Sequence, residues 1–521
     1  MYCHATDCRS TIVNTPLTQQ DNRTRAFIAV LSIELWERFG YYAMQAILLL
    51  FLIQKLHFSS HDAVLLAGAF AASVYATPVL GGWLGDRVLG ARRCTLSGAV
   101  ILAAGYSLLG LPTAWSDPAF DETSLAFAAL GMISVGNGLF KPNAAALVRV
   151  IHEGQDQRLD AAFTLYYMAV NVGSSVSMLL TPWVQQQAGW HSAFAVSFFG
   201  LALGIAGYGI MRSWLGRTGT EKDHHPVPLS HFLAVSAGCA FLIIGIALLL
   251  HSASLAMWCN MAAALGVLML WSICYGRAAP RERPGLAIMY ALAGQSLMFF
   301  IFYQQMSTSL TLFTVHGVSP ALRLGGHTLM TWTPAQFQAL DPIWIMLLGP
   351  VLAGLYTVLA RRGRDVRIAA KFTAGFVSVG TAFLMWWGAA RITGPDGLVS
   401  PWIMVAGYGA LALGELLIGG LGLAMVARYV PQRLNSLMMG SYLLTMGLSM
   451  YAGSRIAGIA TSSFSSQTAQ TPAAFVSLFG GLSVAAFLAA LVCLTMAPWL
   501  RRLDRQHRAF ALPGPAPHIS S

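Results

Sequence analysis

The chain has 521 residues, 56% of them hydrophobic and only 10% charged, with a formal net charge of +11. A soluble domain carries about a quarter charged residues, so composition excludes a soluble enzyme or binding module and points to an all-α polytopic membrane protein. A positive balance would suit nucleic acid, but the placement of the basic residues assigns it to membrane topology.

Apolar runs of about 20 residues, enough to cross a ~30 Å hydrocarbon core, recur along the chain. They predict fourteen spans over 26–53, 62–85, 93–113, 124–147, 160–184, 190–211, 229–251, 255–276, 285–314, 335–360, 368–390, 400–427, 434–458 and 473–498. Alternating these spans across a bilayer puts 25 of the 31 Lys and Arg residues on one side, from Arg9, Arg23 and Arg25 through Arg217 and Arg364 to Arg508. Lys55, Arg323 and Arg391 fall on the other side, and Arg38, Lys141 and Arg455 lie inside spans. By the positive-inside rule both termini are cytoplasmic, and no nucleic-acid partner is called for. Residues 1–25 carry no signal-peptide pattern. The seven cysteines, including Cys3 and Cys8 in the N-terminal tail, show no framework spacing and are expected to be free thiols.

The first span, "LSIELWERFGYYAMQAILLLFL", carries Glu34, Glu37 and Arg38 within five residues. With Tyr41 and Tyr42 they fall within an arc of about 140° at 100° per residue. Arg38 lies roughly 18 Å into the span, too deep to snorkel, so a buried acid–acid–base cluster facing a cavity is expected. The second span ends in "TPVLGGWLGDRVLGARR" (Thr77–Arg93), and "GPVLAGLYTVLARRGRD" (Gly349–Asp365) resembles it in the tenth span. Such pairing suggests two six-helix bundles related by a pseudo-two-fold axis, with two spans inserted between them. The chain then divides into a tail (1–25), a first bundle (26–212), a linker and inserted hairpin (213–284), a second bundle (285–498) and a C-terminal tail (499–521). "RTGTEKDHHP" reads as a solvated linker, and its His224-His225 pair as solvated residues and not as a metal site.

In the fourth span, "SVGNGLFKPNAAALV" places Lys141 before Pro142, and that lysine needs a carboxylate, which the first span offers twice. The fifth span carries Asn171. The twelfth, "GELLIGGLGLA", holds a lone carboxylate, Glu415, whose positive partner is expected to be the substrate.

The Gly85-Asp86-Arg87 turn with Arg92-Arg93 looks like the loop motif of the major facilitator superfamily, where Asp86 would pair across the bundles when the inside closes. The run Glu34-x-x-Glu37-Arg38-Phe39-x-Tyr41-Tyr42 resembles the ExxERFxYY signature of the proton-dependent oligopeptide transporters. "GNGLFKPN" (Gly136–Asn143) and "FTLYYMAVNVGS" (Phe163–Ser174) resemble two further signatures. "FYQQMSTSLTLF" and "QALDPIWI" are similar to its seventh and eighth core helices. The resemblance implies a major facilitator fold and a proton symporter that imports di- and tripeptides across the inner membrane by alternating access. It implies no cofactor beyond the co-transported proton, and a monomer in lipid. By residue, it implies proton coupling at Glu34, Glu37 and Arg38, and peptide contacts at Arg38, Tyr41, Tyr42, Tyr75, Lys141, Asn171 and Glu415.

Several positions depart from that pattern. Gln45 and Gln304 stand where the family has an Arg and a Glu that pair on the outer side, and a hydrogen bond between the two glutamines is expected to replace that gate. Asp341 stands where Asn is usual, and is expected to supply the carboxylate that Gln304 cannot, with a helix cap as the alternative. Phe300 and Tyr442 replace indoles in the pocket, and with Gln304 they are expected to contact the peptide. Three other readings remain: a drug antiporter of the same superfamily, a peptide sensor that does not transport, and a membrane-embedded enzyme. The chain has no HExxH, GxSxG or paired intramembrane aspartate motif to favour the last.

Overall fold

The computed structural model describes residues 16–111, 121–154, 156–216, 218–324, 327–363, 366–392, 397–462 and 475–511. Cys3, Cys8, Arg9, Arg217, Arg364 and the ends of both tails lie outside the described residues. Cys94, Cys239, Cys259, Cys274 and Cys493 are free thiols.

The chain is a multi-pass helical membrane protein with the major facilitator fold. The first bundle contains α1 (Pro16–Gln54), α2 (Ser60–Leu84), α3 (Ala91–Gly110), α4 (Glu122–Ile151) and α5 (Asp156–Ile210). α5 runs through two spans, bent at Gly189, whose φ of 82° suits only glycine. The inserted hairpin is α6 (Leu229–His251) and α7 (Ala253–Arg277). The second bundle comprises α8 (Arg283–Tyr303), α9 (Ser309–Gly317), α10 (Leu340–Arg361), α11 (Ile368–Arg391), α12 (Trp402–Ile418), α13 (Gly422–Tyr429), α14 (Asn435–Ser462) and α15 (Val476–Ala511). α8 and α9 form one broken span, as do α12 and α13. Among the described residues eleven helical stretches are long and apolar enough to cross a membrane. The second arm of α5, together with α1 and α14, brings the spans to the fourteen expected.

Two local features depart from the sequence reading. α1 begins at Pro16, well before residue 26, because the charged segment 21–25 is helical although too polar to belong to a span. A short antiparallel hairpin, β1 (Ala321–Leu324) with β2 (His327–Thr331), sits in the loop after α9; strands this short leave no readable apolar periodicity.

Close helix approach fixes the first bundle. A side-chain carbon on Gly81 would stand 1.9 Å from the Gly138 carbonyl oxygen, so α2 and α4 touch backbone to backbone. α6 packs on α4, and α7 lies beside α14 and α8. The hairpin otherwise exposes apolar side chains such as Phe241 (79%) and Leu265 (65%), as a lipid-facing element should. It is tied to the second bundle by Trp271, which stacks on Tyr290 with ring centres 4.8 Å apart and donates to Ser441 Oγ at 2.9 Å.

The linker ahead of the hairpin is docked along its backbone. Thr220 and Asp223 form a capping box, and Asp223 accepts from the Arg92 backbone N–H at 3.1 Å at the start of α3. Arg93 donates to the Lys222 and His225 carbonyls at 3.1 and 3.0 Å. The His224 and His225 side chains remain exposed.

Three hydrogen bonds join the bundles at the end opposite the basic loops. His61 Nδ1 meets the Gly458 carbonyl at 2.8 Å. Gln336 donates to the Leu179 carbonyl at 2.7 Å, and Gln338 to the Ala46 carbonyl at 3.1 Å.

Candidate functional site

The charged cluster of α1 is fully inside the protein: Glu34, Glu37 and Arg38 are 1%, 0% and 3% exposed. Arg38 engages Glu37 twice, through Nε to Oε2 and through Nη2 to Oε1 at 2.7 Å. Its contact with Glu34 is a single longer one of 3.5 Å. Asn137 of α4 donates to Glu37 Oε1 at 3.3 Å. The second oxygen of Glu34 is buried without a hydrogen-bond partner. Glu37 is thus the committed counter-charge of Arg38, and Glu34 is the less engaged acid. The Arg38 guanidinium also lies 5.2 Å from the centre of the Tyr41 ring, which meets Tyr42 edge to face.

Lys141 does not pair with the α1 glutamates as the sequence suggested. Both acids are turned toward Arg38, and no ion pair involves Lys141 among the described residues. Its ammonium stands 5.2 Å over the Tyr75 ring, where cation–π attraction substitutes for a carboxylate. The first bundle therefore presents a half-buried cation with no committed anion among the described residues.

The second bundle presents the opposite arrangement. Asp341 is 3% exposed and lines one cleft with Glu415. One carboxyl oxygen of each is buried without a hydrogen-bond partner, and neither residue makes an ion pair among the described residues. The helix-cap alternative for Asp341 is excluded: α10 is preceded by Ala339, with no side-chain cap. The lone carboxylate expected at Glu415 is one of a pair.

Both acids line a narrow cleft between the bundles, shared with Tyr42, Tyr167, Asn171 and Tyr303. Asn171 also donates to the Tyr167 carbonyl at 2.8 Å within α5. Tyr167 and Tyr303 had not been singled out. The available signal was Tyr167 one helical turn before Asn171, on the same face. Phe300 and Tyr442 are buried beside the cleft and do not line it; the Tyr442 hydroxyl packs against Gly422.

The expected Gln45–Gln304 hydrogen bond is not formed. Gln304 donates instead to Ser454 Oγ of α14 at 3.0 Å, and the neighbouring tie from α1 runs through Ala46 to Gln338. A neutral amide finds a hydroxyl as readily as another amide, so loss of the charge pair left its direction unspecified. Asp86 and Arg87 are exposed on a turn of π-helix, Gly85–Leu89, and Asp86 makes no ion pair across the bundles among the described residues.

The POT family profile matches residues 92–473, most of the chain. The chain belongs to the POT family. It is 36% identical over 499 residues to dipeptide and tripeptide permease A of Proteus mirabilis (strain HI4320), spanning 94% of this chain and 99% of that one. To the permease of the same name from Escherichia coli (strain K12) it is 36% identical over 486 residues, 93% and 94% of the two chains. Among solved structures, a bacterial homologue of the human drug peptide transporters PepT1 and PepT2 is 42% identical with a TM-score of 0.82, covering 92% of this chain and 99% of that one. Another structure with the same identity, coverage and TM-score was crystallised as a tetramer. A peptide transporter solved with sulfate is 26% identical with a TM-score of 0.78, covering 92% and 95%. This POT-family chain is accordingly a membrane transport protein and not an enzyme.

Proposed function

We propose that this chain imports di- and tripeptides together with protons across the inner membrane by alternating access, with both termini cytoplasmic. The observation that carries the reading is the charge asymmetry between the two bundles. Arg38 and Lys141 belong to the first bundle without lining the narrow cleft, and the carboxyls of Asp341 and Glu415, which do line it and make no ion pair among the described residues, to the second. A zwitterionic peptide has charges of both signs about one residue apart, and such a site holds its ends and leaves its side chains free. In this reading Lys141 and Arg38 take the carboxylate, Glu415 takes the amino group, and Tyr41, Tyr42, Tyr75 and Asn171 flank the backbone.

The carboxyl oxygens of Asp341 and Glu415 that lack hydrogen-bond partners support a pair of acids facing the cleft that can take up a cationic group or a proton. In this reading Asp341 carries the co-transported proton while Glu415 takes the peptide ammonium, so both cargoes occupy the second bundle together, and Glu34 and Glu37 serve the proton in the same way around Arg38. The three hydrogen bonds at the end opposite the basic loops support reading this conformation as closed to the outside. Closure of the inside would bring Asp86 and Arg87 into use. Both walls of the cleft come from one chain, which supports the single chain as the transport unit.

The test is uptake of labelled dialanine into proteoliposomes, competed with dipeptides, tripeptides and free amino acids. Di- and tripeptides compete and free amino acids do not. Equal competition by free amino acids would remove the two-ended site.

A further inference from the structure

At the basic end of the second bundle, away from the cleft described above, lies a depression of about 700 Å³ bounded by α8, α11, α13 and α15. Six cations line it from three separate stretches of chain: Arg367 and Lys371 at the start of α11, Arg428 in α13, and Arg501, Arg505 and Arg508 on α15; the Lys371 ammonium lies 4.2 Å over the Tyr356 ring at its edge. The last three are spaced i, i+4 and i+7, which places them on one helical face. The one carboxylate in the lining is Asp504, and it is already bound to Arg508 at 3.0 Å. Beneath the cations the floor is apolar, formed by Ile288, Leu292, Leu421, Met425 and Leu500.

The wall carried by α15 is held in place. Tyr429, 4% exposed, donates its hydroxyl to Asp504 at 3.3 Å, and its ring meets His507 with centres 5.6 Å apart. A topology signal requires basic residues in loops on one side. It does not require basic residues far apart in sequence to line one hollow together with apolar side chains.

We propose that this depression is a binding site for an acidic phospholipid of the adjoining leaflet. Its phosphate would lie among Lys371, Arg428, Arg501 and Arg505, and its glycerol and upper acyl carbons would lie on the apolar floor. Charge complementarity selects an anion, since an ordinary zwitterionic headgroup would bring a cation into a ring of cations. The apolar floor selects a lipid over a free anion.

The test is native mass spectrometry of the full-length protein, released from a neutral detergent after titration with dioleoyl phosphatidylglycerol. One tightly retained lipid is expected. Lys371→Gln/Arg501→Gln/Arg505→Gln weakens its binding on the order of 100-fold, at roughly fivefold per cation. The milder Arg367→Gln, at an exposed position, weakens it several-fold and guards against misfolding of the triple variant. Arg361→Gln/Arg362→Gln, which removes two cations outside the depression, leaves it unchanged. The proposal is overturned by unchanged binding in both depression variants, by equal loss in the Arg361/Arg362 control, by equal retention of dioleoyl phosphatidylcholine, or by displacement with excess inorganic phosphate.

Discussion

Replacing Glu37 with Gln separates the two acids that share Arg38. Arg38 is 3% exposed and meets Glu37 through two nitrogens, but Glu34 through one contact of 3.5 Å. Removing one partner of a buried ion pair costs about 3–5 kcal/mol, much of it the penalty of stranding the other charge. Glu34 remains near Arg38 as a partial substitute, so Glu37→Gln belongs at the lower end, about 3 kcal/mol. Glu34→Gln removes only the longer contact and costs about 1.5 kcal/mol, the lower range for a charged hydrogen bond. On the Glu34→Gln background, a Glu37→Gln/Arg38→Met double variant removes the last charges of the cluster and recovers most of the loss, because apolar replacement of buried ion partners is often neutral. Thermal unfolding in detergent, followed by tryptophan fluorescence, ranks the variants. A melting temperature for Glu34→Gln at or below that of Glu37→Gln would refute the assignment of Glu37 as the committed partner. So would simple additivity in the double variant.

Lys141→Met costs no more than about 1 kcal/mol in the same assay, the value of its cation–π contact with Tyr75, since the lysine holds no ion pair among the described residues, but raises the KM for dipeptide uptake about tenfold or more. Asp341→Asn retains downhill exchange of peptide and loses proton-driven accumulation; accumulation at the wild-type level would remove Asp341 from coupling. Gly81→Val pushes α2 off α4, where the first added carbon already stands 1.9 Å from the Gly138 carbonyl oxygen, and costs at least about 3 kcal/mol, read as loss of folded protein on size exclusion. Trp271→Phe removes the hydrogen bond to Ser441, costs about 1 kcal/mol in the melting assay, and leaves uptake intact because the hairpin lies outside the cleft.

The burial of the α1 cluster was legible because three charges in five residues of an apolar span have no other economical place. The Glu415 position was legible for the same reason. Partnerships were harder to read. Lys141 was assigned to the α1 acids by charge alone, yet Arg38, one turn beyond Glu34 and next to Glu37, already occupies both, and local geometry on one helix outcompetes a contact between helices. Asp341 and Glu415 meet because α10 and α12 pack together, and no sequence periodicity relates those two helices. The docked linker carried a readable signal, Thr220-x-x-Asp223, the spacing of a capping box. Its exposed histidines and charged composition concealed it.

The central claim is that the charge asymmetry between the two bundles couples peptide to protons, and accumulation of labelled dialanine in proteoliposomes tests it most directly. With an inward proton gradient the wild-type protein should concentrate dialanine above the external level, and a protonophore should abolish this. Glu415→Gln should show no accumulation even with the gradient intact. Equal dialanine accumulation with and without the gradient, or full accumulation by Glu415→Gln, would contradict the account.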